Sequence, residues 1–377
     1  MRSLEQIIDL YNADAPLAQA STIPASWYID ARVLELELRT VFARSWQCAG
    51  RRDQLRAPGD YVSCELPNGE PVVVVRGTDD VVRGFFNVCR HHAAAVVTEP
   101  NGSARQLRCP YHGWTYSLEG ELKGTPDFTG VCDFERSANG LVPLDCGGCE
   151  KWVFVKPDAG GFSLEDFLGR DLLSQLQMLA LDGLHWMERR AYSVDCNWKV
   201  FVDNYLDGGY HVPHLHKGLD SVLEYTDYII TNGERFCLQS SPMVSEGAEA
   251  RTRAARQGDR ASYYWIYPNL MINCYGRTMD TNLVIPRGVD RTDVIFDFYF
   301  SDVSEAARAA NLESIAVSEQ IQDEDVSICA SVQRGLRSRA YDAGRLSVRR
   351  EAGEHLFHRL LSNDLKAGLT RATRDSP

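Results

Sequence analysis

The sequence predicts an α+β fold in which a small all-β module is inserted into a larger α+β domain. Two observations carry this prediction. Residues 45–155 contain short apolar runs separated by turn signals such as PNGE and GTDD, which is typical of a compact β-rich unit. The residues on either side contain helical patterns instead, and the C-terminal part adds further strand-like runs. The length of 377 residues fits such a multidomain chain.

The elements follow in order along the chain. Residues 1–44 show helical patterns at LEQIIDLY and ARVLELELRTVFARSW, and we assign them as an N-terminal helical part of the larger domain. Residues 45–155 hold the strand-like runs YVSCELP, EPVVVVRG and VVRGFFNVC. Residues 156–377 begin with a helical pattern, continue with strands such as SYYWIYPNLMINCYG and DVIFDFYF, and end in helices.

Composition excludes several classes of protein. The apolar fraction is 44% and the charged fraction 24%, as in globular proteins with a large core. A net charge of −12 argues against nucleic acid or an anionic membrane as a partner. We expect no transmembrane helix, because no run of 18 uncharged apolar residues occurs. The N-terminus lacks the apolar core of a signal peptide, so we expect a cytoplasmic protein. Eleven scattered cysteines do not indicate a disulfide framework.

Two cysteines and two histidines form a compact pattern inside the β-rich region. Cys89-x-His91 is followed, after seventeen residues, by Cys109-x-x-His112. Two short cysteine–histidine pairs of this kind can together bind one metal ion or one cluster. The residues alone allow a tetrahedral zinc site or a [2Fe–2S] cluster with two cysteines on one iron and two histidines on the other.

A second group of metal-binding side chains lies in NWKVFVDNYLDGGYHVPHLHKGL. On a helix, Asn204, Asp207 and His211 share one face. His211 and His216 are five residues apart, which is out of phase on a straight helix. We predict that Pro213 bends the helix and brings the two imidazoles together.

Two histidines and one carboxylate leave open positions on an iron for substrate and O₂. The candidate carboxylates are Asp207 and the downstream run Asp323-Glu324-Asp325. Spacing alone also permits His211 and His214 as the histidine pair.

Aromatic residues form a third group. Tyr263, Trp265 and Tyr267 alternate along a predicted strand and would share one face, with Tyr275 nearby in sequence. Aromatic faces attract a quaternary ammonium group. The alternative is that this strand simply packs into the core.

These residues resemble a Rieske non-haem iron oxygenase alpha subunit, specifically the choline monooxygenase group of quaternary-ammonium oxygenases. The resemblance rests on CRHH, CPYHGWTYSLEGEL, NWKVFVDNYLDGGYHVPHLHKGL, YPNLMIN and QDEDVSICASVQRGL, and it covers nearly the whole chain. It implies a Rieske [2Fe–2S] domain at 45–155. It further implies a helix-grip-like catalytic domain with an antiparallel sheet and a mononuclear iron, formed by residues 156–377 together with the N-terminal helices.

The resemblance also implies residue roles. The cluster ligands would be Cys89, His91, Cys109 and His112. The ligands of mononuclear Fe(II) would be His211, His216 and Asp325, with Asp323 as a close competitor, and Asn204 would lie near the iron. The family often has an acid three residues before the first iron histidine, where this chain has Gly208, so Asp207 or Asp203 would bridge the two metal sites. His214 would reshape the pocket, because plant members have an aromatic residue there.

The implied activity is that of a terminal oxygenase acting on a small quaternary ammonium compound. It would oxidise a choline-like substrate to the aldehyde hydrate or demethylate a betaine. O₂ is the co-substrate, and NAD(P)H acts only through a separate flavin or ferredoxin reductase, since no dinucleotide fingerprint is present. A homotrimer is expected. The alternatives are an oxygenase for a non-cationic molecule, a Rieske electron-transfer protein without oxygenase activity, and a zinc-stabilised binding module.

Overall fold

The structure is a computed structural model that describes residues 2–244, 252 and 258–372. Contacts divide the chain into two compact units. One comprises residues 1–41 and 168–377, and the other is the continuous segment 42–167 inserted between them. Within the described residues, no helix combines the length and the apolar character needed to span a bilayer.

The regular secondary structure of the inserted unit is almost entirely β-strand. Its strands are β1 Gln47–Arg51, β2 Asp60–Glu65, β3 Pro71–Arg76, β4 Val82–Phe86, β5 Asn101–Ser103, β6 Leu107–Arg108, β7 Thr115–Tyr116, β8 Leu122–Gly124, β9 Pro143–Cys149 and β10 Trp152–Lys156. Seven strands form a sheet in the order β1-β10-β9-β4-β3-β2-β5, and β6-β7-β8 form a smaller one. The predicted all-β module is confirmed.

The valine run of β3 shows why this unit folds as it does. Val73 and Val75 pack into a core that also contains Cys89, Cys109 and Trp114, whereas the alternate valines of the strand enter a second core on the other face of the sheet. Because both faces are covered, the strand is apolar throughout rather than alternating.

The inserted unit extends beyond the predicted boundary at residue 155, to Phe167. Trp46 Nε1 donates a hydrogen bond to the carbonyl of Phe162 at 3.1 Å, and Leu164 packs so closely on Gly147 that a Cβ there would lie 2.9 Å from its side chain. These contacts attach the segment after β10 to the β-unit.

The larger unit combines helices with an antiparallel sheet, as predicted. Its strands are β11 His185–Val194, β12 Ile229–Asn232, β13 Phe236–Pro242, β14 Arg260–Ile266, β15 Leu270–Tyr275, β16 Thr278–Gly288 and β17 Arg291–Phe300. They form one sheet in the order β11-β17-β16-β15-β14-β13-β12. Strand β11 is at the edge and is largely exposed, so its sequence lacks the apolar signal that identifies the others.

The helices complete the description. They are α1 Leu4–Ile8, α2 Ala25–Ile29, α3 Ala31–Glu37, α4 Leu164–Leu168, α5 Arg170–Met178, α6 Trp198–Leu206, α7 Val212–Leu215, α8 Lys217–Asp220, α9 Arg308–Leu336 and α10 Ala352–Ala372. Helices α9 and α10 both contact α6, which positions the metal-binding segment that follows α6.

Candidate active site

Two loops of the β-unit, 89–94 and 109–114, have the same backbone geometry. In each loop the N–H of the cysteine donates to the carbonyl of the last residue at 2.8 Å. In each, the fifth residue has a left-handed backbone, with φ of 60° at Ala93 and 73° at Gly113. We call these two segments the cluster loops.

The four predicted cluster ligands lie together on the cluster loops. Cys89 and Cys109 are buried, and the rings of His91 and His112 are 4.7 Å apart between centroids. The ring of His91 stacks on Trp114, and its buried Nδ1 has no hydrogen-bond partner among the described residues. An imidazole nitrogen left unpaired beside two buried thiols fits a metal ligand. The donor set therefore fits a [2Fe–2S] cluster.

A tyrosine that the sequence analysis did not identify supports the first cluster loop. The hydroxyl of Tyr116 lies 3.4 Å from Cys89 Sγ and accepts a hydrogen bond from the backbone N–H of Arg90 at 2.9 Å. Burial raises the pKa of Tyr116, so its hydroxyl stays protonated and can donate to a thiolate.

In the larger unit, the helix that carries the second group ends earlier than predicted. Helix α6 stops at Leu206, and Gly208 and Gly209 have φ of 67° and 69°. A Cβ on Gly208 would lie 2.1 Å from the carbonyl oxygen of Arg350, so only glycine fits there. The prediction that Pro213 makes the bend is wrong. Pro213 lies in the first turn of α7, where a missing N–H costs nothing.

The break brings His211 and His216 together. Their ring centroids are 4.8 Å apart, and Asp325 on α9 faces both. Its Oδ1 is 3.1 Å from His216 Nε2 and 3.9 Å from His211 Nε2. All three ligand atoms lie within 4.8 Å of one another, which fits a two-histidine, one-carboxylate iron site.

The first histidine is oriented by the residue that ends α6. Asp207 Oδ2 lies 2.5 Å from His211 Nδ1 and accepts the backbone N–H of His211 at 3.0 Å. The other oxygen of Asp207 accepts the N–H of Tyr210 at 3.1 Å. The bond to Nδ1 leaves Nε2 of His211 available as the ligand.

The second histidine is oriented by Glu324, which the sequence analysis did not identify. Glu324 Oε2 is 2.6 Å from His216 Nδ1, and Asn204 Nδ2 donates to Asp325 Oδ1 at 2.8 Å. Burial by itself lowers the pKa of His216, but the carboxylates of Asp325 and Glu324 outweigh it and raise the pKa.

The alternative carboxylates lie elsewhere. Asp323 is exposed. Asp203 accepts hydrogen bonds from Tyr28 at 2.5 Å and from His358 at 3.0 Å. These bonds hold it in a separate buried group, and the structure does not bring it to His211.

A cavity of about 110 Å³ opens onto the three facing side chains. Six aromatic residues line it: Phe201, Tyr205, Tyr228, Tyr263, Tyr275 and Phe296. The polar side chains on its wall are Asn204, Gln239, Asn273, Asp280, Asn282, Ser318 and Gln322, in addition to His211, His216 and Asp325. The described lining residues include no lysine or arginine.

Comparisons with known proteins agree with this geometry. Residues 45–135 match the Rieske [2Fe-2S] domain and residues 181–366 match the catalytic domain of the ring hydroxylating alpha subunit. A choline monooxygenase of Arabidopsis thaliana is 38% identical over 96% of this chain and 87% of its own length. The chain belongs to the Rieske non-haem iron oxygenases.

Two further similarities place this Rieske oxygenase near enzymes of quaternary ammonium compounds. The oxygenase subunit of carnitine monooxygenase from Escherichia coli strain K12 is 30% identical over 92% of this chain and 95% of its own length. The crystal structure of the quaternary ammonium Rieske monooxygenase CntA with L-carnitine is 28% identical, with a TM-score of 0.81 over 97% of this chain and 99% of that one.

The structure divides the predicted aromatic residues of this Rieske oxygenase into two sets. Tyr263 and Tyr275 line the cavity, with their rings 5.6 Å apart in an edge-to-face arrangement.

Trp265, Tyr267 and His214 are not among the described lining residues, so their prediction as pocket residues is not supported. Trp265 packs on Phe357 of α10, and Tyr267 donates to Asp364 at 2.7 Å. His214 is exposed. The side chains alternate between the two faces of the strand as predicted, but the strand continues beyond the cavity into the core under α10.

Proposed function

We propose that this chain is the terminal oxygenase that hydroxylates a small quaternary ammonium compound, using O₂ and two electrons from a separate reductase. The observation that carries the proposal is the cavity wall. Six aromatic rings and Asp280 surround a space that opens onto His211, His216 and Asp325, and the described lining includes no basic side chain. Aromatic faces and a carboxylate favour a cation. The activities of the choline and carnitine monooxygenase relatives support the same substrate class.

The β-unit would carry the electron. Cys89 and Cys109 would bind one iron of the cluster, and His91 and His112 the other, since their side chains converge on the cluster loops. A Rieske cluster accepts and gives up one electron at a time. The exposed side of His112 offers a route by which an electron can enter or leave.

The larger unit would carry the oxygenation. His211, His216 and Asp325 would hold Fe(II), and a bound iron of this kind supplies O₂ activation at its open positions. Asp207 holds the first imidazole and Asn204 holds the carboxylate, so the ligands are oriented before metal binds. The net reaction consumes O₂, two electrons and two protons, and it yields the hydroxylated product and water.

We further propose a homotrimer in which Asp207 bridges towards the cluster of a neighbouring subunit. One of its oxygens orients His211, while the other accepts a hydrogen bond from the backbone N–H of Tyr210. A structure of CntA has been described in terms of inter-subunit electron transfer, which supports such an arrangement.

The test starts from anaerobically purified protein. We expect about three irons and two acid-labile sulfides per chain, and O₂ uptake coupled to choline oxidation. The control ligand is 3,3-dimethyl-1-butanol, the uncharged isostere of choline, which should bind at least tenfold more weakly because cation–π attraction is lost. Equal binding of the two would contradict the cation proposal. Two irons with no coupled O₂ uptake would indicate an electron carrier instead.

A further inference from the structure

Two amide groups on the cavity wall have hydrogen-bond donors without partners. Asn282 is 3% exposed and Gln322 is 2% exposed, and both line the cavity. Asn282 Nδ2 and Gln322 Nε2 find no hydrogen-bond partner among the described residues. Burying a hydrogen-bond donor without an acceptor is unfavourable, so the presence of such donors on a cavity wall indicates that a ligand or an ordered molecule completes them.

The orientation of Asn282 is fixed by its neighbours on the sheet. Asn273 Nδ2 donates to Asp280 Oδ1 at 2.7 Å and to Asn282 Oδ1 at 3.0 Å. The oxygen of the Asn273 amide accepts a hydrogen bond from the hydroxyl of Tyr205 at 2.8 Å, so its NH₂ group is the one that faces Asp280. That in turn requires the oxygen of Asn282 to face Asn273, which leaves the NH₂ group of Asn282 as the free donor.

The second donor comes from a helix rather than from the sheet. Gln322 lies on α9, three residues before Asp325, and residues at this spacing share a helix face. Asn282 lies on β16, beside Phe296 of β17 in the sheet register. One donor therefore belongs to the helix that carries the iron-site carboxylate and the other to the sheet.

We propose that Asn282 and Gln322 bind an oxygen atom of the substrate and so select a quaternary ammonium compound that carries a neutral hydroxyl group. This inference rests on the proposed function and specifies it. A carboxylate would need a counter-charge, whereas the described lining holds Asp280 and no lysine or arginine. With the ammonium group on the aromatic rings and the oxygen on the two amides, the substrate is held at both ends. The carbon between these ends is then the one fixed relative to the iron site.

The experiment measures dissociation constants by anaerobic titration calorimetry on the iron-loaded protein. Three ligands share the trimethylammonium group: choline carries a hydroxyl, ethyltrimethylammonium carries no oxygen, and glycine betaine carries a carboxylate. We expect choline to bind roughly tenfold more tightly than ethyltrimethylammonium, the effect of one or two buried hydrogen bonds, and more tightly than glycine betaine.

The variants Asn282→Leu and Gln322→Met remove the donors and keep side chains of similar shape. Asn282→Leu also removes the oxygen that accepts from Asn273 Nδ2 at 3.0 Å, but that amide keeps its hydrogen bond to Asp280 at 2.7 Å. In each variant, the ratio of the dissociation constants of ethyltrimethylammonium and choline should fall towards one. The affinity for ethyltrimethylammonium should stay within about threefold of the wild-type value. Gln320→Met is the matched control, because Gln320 is exposed on the same helix and is not among the described lining residues. It should leave the preference unchanged.

The outcomes separate the two proposals. Equal binding of choline and ethyltrimethylammonium by the wild-type protein would overturn the hydroxyl site while leaving the quaternary-ammonium function intact, and this result does not depend on whether any variant folds. Tighter binding of glycine betaine would also overturn it. If none of the three cations binds, the proposed function fails and this inference fails with it.

Discussion

Replacing Glu324 by glutamine removes the charge that holds His216 while keeping the length of the side chain. Glu324 Oε2 lies 2.6 Å from His216 Nδ1, a distance typical of a charge-assisted hydrogen bond. Such bonds contribute roughly 1.5–3 kcal/mol, and about 1.4 kcal/mol corresponds to tenfold in affinity. Because the Glu324 side chain is 31% exposed, solvent screens its charge, and we expect this hydrogen bond to contribute an energy near the lower end of that range. We expect Fe(II) affinity to fall about tenfold.

The assay is a chelator competition that reports the dissociation constant of the mononuclear iron, with the cluster spectrum as an internal reference. Asp323→Asn is the control, since Asp323 is exposed on the same helix and loses the same charge. Asp325→Asn should abolish iron binding at this site. The argument fails if Glu324→Gln binds iron as the wild-type protein does, or if Asp323→Asn weakens binding equally.

Three other predictions concern stability. Glu37 and Lys199 form a fully buried ion pair at 2.7 Å, and Glu37 also accepts a hydrogen bond from Trp198 Nε1 at 2.7 Å. Glu37→Gln should lower the free energy of unfolding by about 3–5 kcal/mol in urea denaturation, while replacing both Glu37 and Lys199 by methionine should restore only part of it, because Trp198 Nε1 loses its acceptor. Burial and neighbouring carboxylates raise the pKa of Glu354 well above its usual value; the folded state therefore binds the proton more tightly than the unfolded state, and stability is lost as pH rises above about 4.3. Glu354→Gln should lack this loss, so its melting temperature should rise relative to that of the wild-type protein as the pH increases from 5 to 8. A difference in melting temperature that does not change with pH would refute the assignment. Gly208→Ala should destabilise the protein and empty the iron site. Gly169→Ala places alanine at a similar φ of 77° but with no atom near the added Cβ, so it should lower stability by about 1–3 kcal/mol through backbone strain alone, without loss of iron.

The cluster loops could be predicted from sequence because their information is local. Each loop places its cysteine and histidine within four residues and closes on its own backbone hydrogen bond. The left-handed positions fall at Ala93 and Gly113, and the second of these is visible as a glycine. No distant part of the chain is needed to bring one pair of ligands together.

The iron site is different, because it depends on packing between distant segments. The sequence could not choose between Asp323 and Asp325. Successive side chains on a helix differ in direction by about 100°, so these two point about 200° apart, and only the position of α9 decides which one faces His216. For the same reason it could not identify Glu324. The helix break was assigned to the wrong residue, although Gly208 and Gly209 are visible in the sequence as residues that weaken a helix. Pro213 was the obvious signal, while the decisive contact is between Gly208 and the carbonyl of Arg350.

The aromatic residues of β14 show another limit of prediction from sequence. Alternation correctly placed Tyr263 on the inner face, but it carries no information on where the cavity ends. Trp265 belongs to the same face and fills the core beneath Phe357 instead. The two amides, Asn282 and Gln322, gave no periodic signal at all, because their role depends on the strand register and on the position of α9.

The repeated geometry of the cluster loops has a consequence for the speed of electron transfer. Both loops are closed by backbone hydrogen bonds of 2.8 Å, and their cysteines sit in a packed apolar core. Ligands held in this way cannot shift much when the charge of the cluster changes. The nuclear rearrangement that would accompany each one-electron step on a cluster held there would therefore be small, since a preorganised environment needs little reorganisation. The rate of electron transfer would then depend mainly on the distance between the electron donor and acceptor, and less on rearrangement of the cluster itself.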